Sequence, residues 1–245
     1  MMLRKQFAAR VWAKLKAFEA REGLFRRGDR VLAAVSGGPD SVCMAHFLSV
    51  QARACGFTLM LAHVHHGLRG RDADEDAASV LRLARKLGLE AFLVKVDVPR
   101  AAAARGRGKE EAARHLRYRA LSRIASANRC RKVATGHQLD DQAETVLLHL
   151  LRGTRLQGLA GIPPRRPLTG SVELIRPLLP VTRSEIRLYL KLHGLKSRVD
   201  RTNLSQDQTR NWVRLKVLPL LEKRNPRIRE RLSGLADQVR GLSLP

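Results

Sequence analysis

The densest chemistry in the chain lies in six residues, Ser36-Gly37-Gly38-Pro39-Asp40-Ser41. They follow a short apolar run at residues 30–35 and open a helical pattern. A helix start presents unpaired backbone N–H groups and the positive end of the helix dipole. Gly37 and Gly38 let the backbone approach a phosphate closely and take up positive φ. Pro39 is tolerated in a first turn because it has no N–H to lose there. Ser36 and Ser41 add hydroxyl donors, and the whole reads as an anion cradle. The Gly-Lys-Ser/Thr ending of a Walker loop is missing, as is the G-x-G-x-x-G pattern of a dinucleotide fold. The blander alternative is a plain strand–turn–helix connection.

A second constellation, Asp140, Asp141 and Glu144, follows an apolar run at residues 132–135. Asp141 and Glu144 are three apart and share one helix face. The dipole alone accounts for acids at a helix start. It does not account for their position after a strand end, the edge where ligands bind in doubly wound folds. His137 precedes them as a structural or a site histidine. Arg114 and Arg117 are spaced for one helix face, as are Arg210 and Arg214 with Trp212 between them. These suit phosphate contacts, the alternative being solvated faces in an arginine-rich chain. Trp212 reads equally as core or as a stacking platform. Asp72, Asp74, Glu75 and Asp76 read as helix-start acids.

The elements that must hold these groups show in the periodicity. Apolar runs at 30–35, 57–64, 91–98 and 132–135, with a weaker one at 172–175, alternate with helical patterns at 41–54, 74–87, 110–127 and 142–151. Nearly continuous apolar strands between helices predict an α/β fold, a doubly wound parallel sheet covered on both faces. An amphipathic helix at 3–22 precedes it. Residues 100–109 read as a mobile Gly/Arg linker and 158–170 as a loop. Helices are expected at 182–192, 211–221 and 226–239, around a polar stretch at 196–208. This predicts a sheet domain over residues 1–180 and a helical tail over 181–245.

The 245 residues carry 47 Lys+Arg against 22 Asp+Glu, a formal charge of +25 that points to a polyanionic partner, nucleic acid before acidic membrane. No apolar run is long enough to span a membrane, and no secretory signal opens the chain, so a cytoplasmic location is expected. Three cysteines without a C-x-x-C pair make a disulfide framework, a zinc site or a cysteine-held cluster unexpected. A homodimer is the default oligomer.

The sequence SGGPDS after a first strand resembles the pyrophosphate loop of N-type ATP pyrophosphatases, the PP-loop superfamily. More of the chain agrees: His63-Val64-His65-His66-Gly67-Leu68-Arg69, then Glu111 to Tyr118, Ala134 to Thr145 and Leu151-Arg152-Gly153-Thr154, then Asp200-Arg201-Thr202-Asn203 and Arg210 to Arg214. In this order they are similar to the tRNA(Ile)-lysidine synthetase family. The resemblance implies ATP and Mg²⁺ as cofactors, with free L-lysine and tRNA(Ile) bearing a CAU anticodon as partners. In that reaction O2 of the wobble cytidine attacks the α-phosphate, and the lysine ε-amine then displaces AMP at C2. It implies that Ser36, Gly37, Gly38, Pro39, Asp40 and Ser41 hold phosphates, and that backbone around Ala34, Val64 and His65 reads adenine. Asp40 and Asp141 are the Mg²⁺ candidates, and Asp141 with Glu144 equally suits the lysine ammonium. Arg114 and Arg117 are expected on tRNA phosphate or the activated base, and Arg210 and Arg214 on the anticodon stem or transferring phosphate. His65 stands where the family usually has Asn, keeping a donor and an acceptor. Long members carry a further C-terminal region, so this chain resembles a short form or a truncated one. Two other readings are a related tRNA cytidine thiolase, which would need cysteines for sulfur, and a basic nucleic-acid-binding protein with an inactive loop.

Overall fold

The structure, a computed structural model, describes residues 2–67, 71–105, 108–198 and 208–242. The motif residues Leu68 and Arg69, and Asp200, Arg201, Thr202 and Asn203, lie outside the described residues.

Six strands form one sheet in the order β3-β2-β1-β4-β6-β5. They are β1 (Arg30–Ala34), β2 (Thr58–His65), β3 (Ala91–Lys95), β4 (Lys132–Ala134), β5 (Arg165–Thr169) and β6 (Val172–Ile175). All neighbouring pairs are parallel except β5 with β6. The chain moves outward from β1 through β2 to β3, then crosses back to put β4 on the other side of β1. The strand order therefore reverses between the carboxyl ends of β1 and β4, where such folds bind ligands.

The helices cover both faces. On one, α1 (Met2–Glu22), α2 (Pro39–Cys55), α3 (Arg71–Leu87) and α7 (Arg183–Leu192) share a core containing Leu15, Phe47, Leu48, Leu61, Val80, Ile186 and Tyr189. On the other, Leu121, Ile124 and Ala125 of α5 (Lys109–Ala127) pack on Leu32, Met60, Val133 and Leu174. A third core joins α6 (Leu139–Leu151) to Val213, Leu218, Leu232 and Ala236 near the C-terminus. Those residues lie on a continuous helical run, α8 (Gln208–Trp212), a π-helical turn (Val213–Val217) and α9 (Leu218–Arg224), and on α10 (Ile228–Gly241). The segment expected as a tail thus contributes side chains to two of these cores.

Two segments differ from expectation. Residues 98–105 form a helix, α4 (Val98–Arg105), where a linker was expected, and β3 stops at Lys95. Ala101–Ala104 is a run of the strongest helix former, which outweighs the glycines that follow. The expected loop at 158–170 contains β5, after a 3₁₀ turn at Leu156–Ala160. β5 is a polar edge strand with an internal proline, so it carries no apolar signal.

Candidate functional site

The loop after β1 is tied together by its own serines. The Ser36 N–H donates to Ser41 Oγ at 3.2 Å, and the Ser41 hydroxyl donates to the Gly38 carbonyl at 2.9 Å. Gly37 has φ +92°, a conformation that L side chains rarely adopt. Gly38 caps α2 in extended conformation, with Pro39 in the first turn, so the N-terminus of α2 faces the loop. Gly136, after β4, closes against this turn: a Cβ there would lie 3.2 Å from Asp40 C and Ser41 N. A strap at residues 195–198 crosses from the far side, where the Arg198 N–H donates to Gly37 O at 2.9 Å. The Arg198 guanidinium reaches Glu75 and Asp76 of α3, both at 2.5 Å. The helix-start acids therefore hold the strap that braces the loop.

The backbone expected to read adenine is partly engaged. The Val35 N–H donates to Ala62 O, and His65 O accepts from the Val96 N–H, both at 2.8 Å. The buried His63 Nδ1 pairs with Val35 O at 2.8 Å. His65 Nδ1 accepts from the Gly67 N–H at 3.2 Å, which leaves Nε2 to donate to Asp74, also at 3.2 Å. Its side chain thus uses both the donor and the acceptor, on the turn after β2. Ala34 and Val64 sit at the carboxyl ends of the two strands.

The carboxylates divide into three roles. Asp40 is pushed up to about 6, first by burial and then by the nearby charge of Asp141. Its Oδ1 is buried with no hydrogen-bond partner among the described residues. Asp141 is raised too, by burial and then by Glu144. Asp141 Oδ2 accepts the Gln138 N–H in a capping box, while Oδ1 lies 3.8–4.0 Å from Arg183, Arg210 and Arg214. Glu144 is different. Its side chain is 0% exposed, and its carboxylate accepts from Arg214 at 2.7 and 2.9 Å, Arg210 at 3.0 Å and Arg183 at 3.5 Å. Burial raises its pKa, but the bonds from Arg214 and Arg210 outweigh it and hold the carboxyl below its ordinary value. Asp140 turns away to bind the α7 backbone, at Arg183 N (2.8 Å), and Arg229 of α10 (2.7 Å).

Mg²⁺ prefers carboxylate and phosphate oxygens and is commonly held by one or two carboxylates plus substrate phosphates. An orphaned Asp40 oxygen beside Asp141, on the phosphate side of α2, fits that donor set. Among the described residues no group of three or more His, Cys, Asp or Glu residues forms a self-sufficient metal cage.

Arg114 and Arg117 stand on α5 with their guanidinium carbons 5.1 and 5.3 Å from the Tyr118 ring centre. His137 lies among Arg176, Arg117, Arg114 and Arg210; burial first, and then those charges, push it down to about 3, so it is neutral. Its Nδ1 pairs with Thr135 Oγ1 at 3.0 Å. Arg210 and Arg214, expected on a ligand phosphate, lie on Glu144, whereas Trp212 is 50% exposed and outside every core. Arg183, Arg198, Arg166 and Arg176 were not foreseen, and Tyr118 entered only as the last residue of the Glu111–Tyr118 motif. Only Arg183 left a local trace, the Thr182-x-x-Glu185 capping box that opens α7 beside it.

A glycine-rich phosphate loop at the reversal point of a parallel sheet, facing two raised carboxylates, defines an α/β nucleotide-binding fold of the PP-loop kind. The family comparison agrees: residues 7–221 match the PP-loop domain, and the chain belongs to that family. Two curated relatives are similar in sequence. The tRNA(Ile)-lysidine synthase of Dehalococcoides mccartyi is 45% identical over 221 residues, 89% of this chain and 47% of the relative. That of Symbiobacterium thermophilum is 44% identical over 228 residues, 93% of this chain and 47% of the relative. The chain spans about half the length of these relatives. Among solved structures, the U34-tRNA thiolase of Methanococcus maripaludis, with its [4Fe-4S] cluster, shares the fold at TM-score 0.82 and 21% identity, over 98% of this chain and 82% of that one. No described helix is long and apolar enough to cross a membrane.

Proposed function

We propose that the chain ligates lysine to C2 of the wobble cytidine in the CAU anticodon of tRNA(Ile), using ATP and releasing AMP and pyrophosphate, in the cytoplasm. The observation that carries this reading is the Asp40–Asp141 pair at the phosphate loop, in a chain 44–45% identical to lysidine synthases. Ser36, Gly37, Gly38, Pro39 and Ser41 cradle the β- and γ-phosphates with backbone N–H groups and hydroxyls, and Ala34, Val64 and His65 lie at the strand ends that would flank the adenine. Asp40 and Asp141 would hold Mg²⁺, which when bound would neutralise phosphate charge. Cytidine O2 attacks the α-phosphorus and pyrophosphate leaves. The lysine ε-amine then attacks C2, AMP leaves, and the amine proton passes to solvent. Glu144 serves as a positioning residue: it accepts from Arg183, Arg210 and Arg214 and holds the three guanidinium groups in place.

Sulfur transfer is the weaker reading, since Cys43 and Cys130 are buried with thiols raised chiefly by burial. Mass analysis of tRNA(Ile) incubated with ATP and lysine tests the proposal. A lysine-sized gain on one nucleotide is expected, together with AMP release that requires the tRNA. AMP formed equally without tRNA or lysine would overturn it.

A further inference from the structure

The sheet edge opposite α2 carries a concentration of positive charge that the reaction scheme leaves unused. Arg117 and Tyr118 come from α5, Arg166 from β5 and Arg176 from just past β6. The Arg114, Arg117 and Arg166 guanidinium carbons lie 5.1–5.3 Å from the Tyr118 ring centre, and Arg176 lies beside the Tyr118 hydroxyl. Among the described residues none of these four arginines forms a salt bridge. Arg176 is only 3% exposed; its Nη1 donates to the Pro163 carbonyl at 2.5 Å. A buried guanidinium without a counter-charge is costly, and folds retain such groups for ligands. Three polar atoms here, Arg117 Nε, Tyr118 Oη and Arg176 Nε, are buried with no hydrogen-bond partner among the described residues. All three can donate, so the group is built to receive an oxyanion.

The charges acting on Asp40 are those of Asp141, Arg183, Asp140 and Arg187, whereas those acting on His137 are Arg176, Arg117, Arg114 and Arg210. Forked guanidinium donors on three elements suit phosphate geometry. Tyr118 adds an aromatic ring beside these donors, which suits a nucleic-acid strand rather than an inorganic ion.

We propose that Arg117, Tyr118, Arg166 and Arg176 form a second anion seat that takes a backbone phosphate of the RNA strand next to the target base. The RNA as source rests on the function proposed above. A phosphate of ATP is the other source of the same chemistry, and the test separates them. Arg166→Gln and Tyr118→Phe are the main variants, because Arg166 is half-buried on an edge strand and phenylalanine keeps the ring. The probe is a CAU anticodon stem-loop RNA. Its affinity for the full chain is read by fluorescence anisotropy across a salt series, beside ATP affinity by calorimetry. Arg166→Gln is expected to weaken RNA binding and to lower the salt slope by roughly 0.7–0.9, the value of one phosphate contact. Tyr118→Phe is expected to weaken RNA binding with the slope retained, and ATP affinity stays unchanged in both. Arg176→Met is expected to unfold at the same or a higher temperature than wild type while losing RNA affinity, because an uncompensated charge has been removed. Unchanged RNA affinity and slope in both main variants would overturn the seat, as would loss of ATP affinity in their place or absence of RNA binding by the wild type. RNA binding through these residues by an enzyme that adds no lysine would retain the seat and remove the proposed reaction.

Discussion

Replacing Glu144 by glutamine tests the three-arginine hub. The carboxylate is fully buried, and hydrogen bonds to it run from Arg214 (two), Arg210 and Arg183. Glutamine keeps the volume and one acceptor but withdraws the negative charge, leaving the guanidinium groups facing one another. Breaking a buried ion pair from one side costs about 3–5 kcal/mol, and the isosteric change belongs at the low end, about 3 kcal/mol. For a chain of this size that lowers the melting temperature by roughly 6–12 °C. The pH dependence has a definite sign. Glu144 is held below its ordinary value of 4.5, so its contribution is complete above that pH and is lost as pH falls through the folded-state value. Thermal unfolding of wild type and Glu144→Gln between pH 3 and pH 8 should therefore show a constant gap above about pH 5 that closes in acid. Arg214→Ala should be similarly destabilising, and the double variant should fall short of additivity by about 0.5–3 kcal/mol. A gap that persists in acid, or a Glu144→Gln protein as stable as wild type at neutral pH, would refute the hub.

Two other substitutions probe the loop. Asp40 carries a folded-state pKa of about 6 against an ordinary 3.8, so wild type loses stability as pH rises between those values. Asp40→Asn is expected to abolish AMP formation yet melt higher above pH 6, by about 1–3 kcal/mol, with the difference shrinking toward pH 4; calorimetry beside an AMP assay checks both. Gly136→Ala would press a methyl group against Asp40 C and Ser41 N, so ATP affinity should fall at least tenfold by calorimetry, with a stability loss of about 1–3 kcal/mol.

The parts legible in the sequence are those whose signal is local. β1 and β2 are buried on both faces and read as unbroken apolar runs. The phosphate loop was legible because its glycines, serines and proline serve a turn only six residues long. β5 was not, since an exposed edge strand of Arg-Arg-Pro-Leu-Thr resembles any polar connection. The assignments of Arg210 and Arg214 show a different limit. Their i, i+4 spacing correctly implied a shared face, but the face belongs to Glu144, 66 and 70 residues earlier in the chain. Spacing shows which side chains point together and not what they meet. Arg176 left no pattern at all, because its proximity to Tyr118 depends on sheet order.

Asp140 binds Arg229 of α10, which stands 89 residues later in the chain. That single contact sets a timetable. On the ribosome the phosphate loop is made early, but Arg229 follows Asp40 by roughly 10–40 s at usual elongation rates. Until it arrives, Asp140 lacks its counter-charge and α10 has not closed over α6. A nascent chain therefore carries its phosphate loop well before it carries the α10 contact that neutralises Asp140.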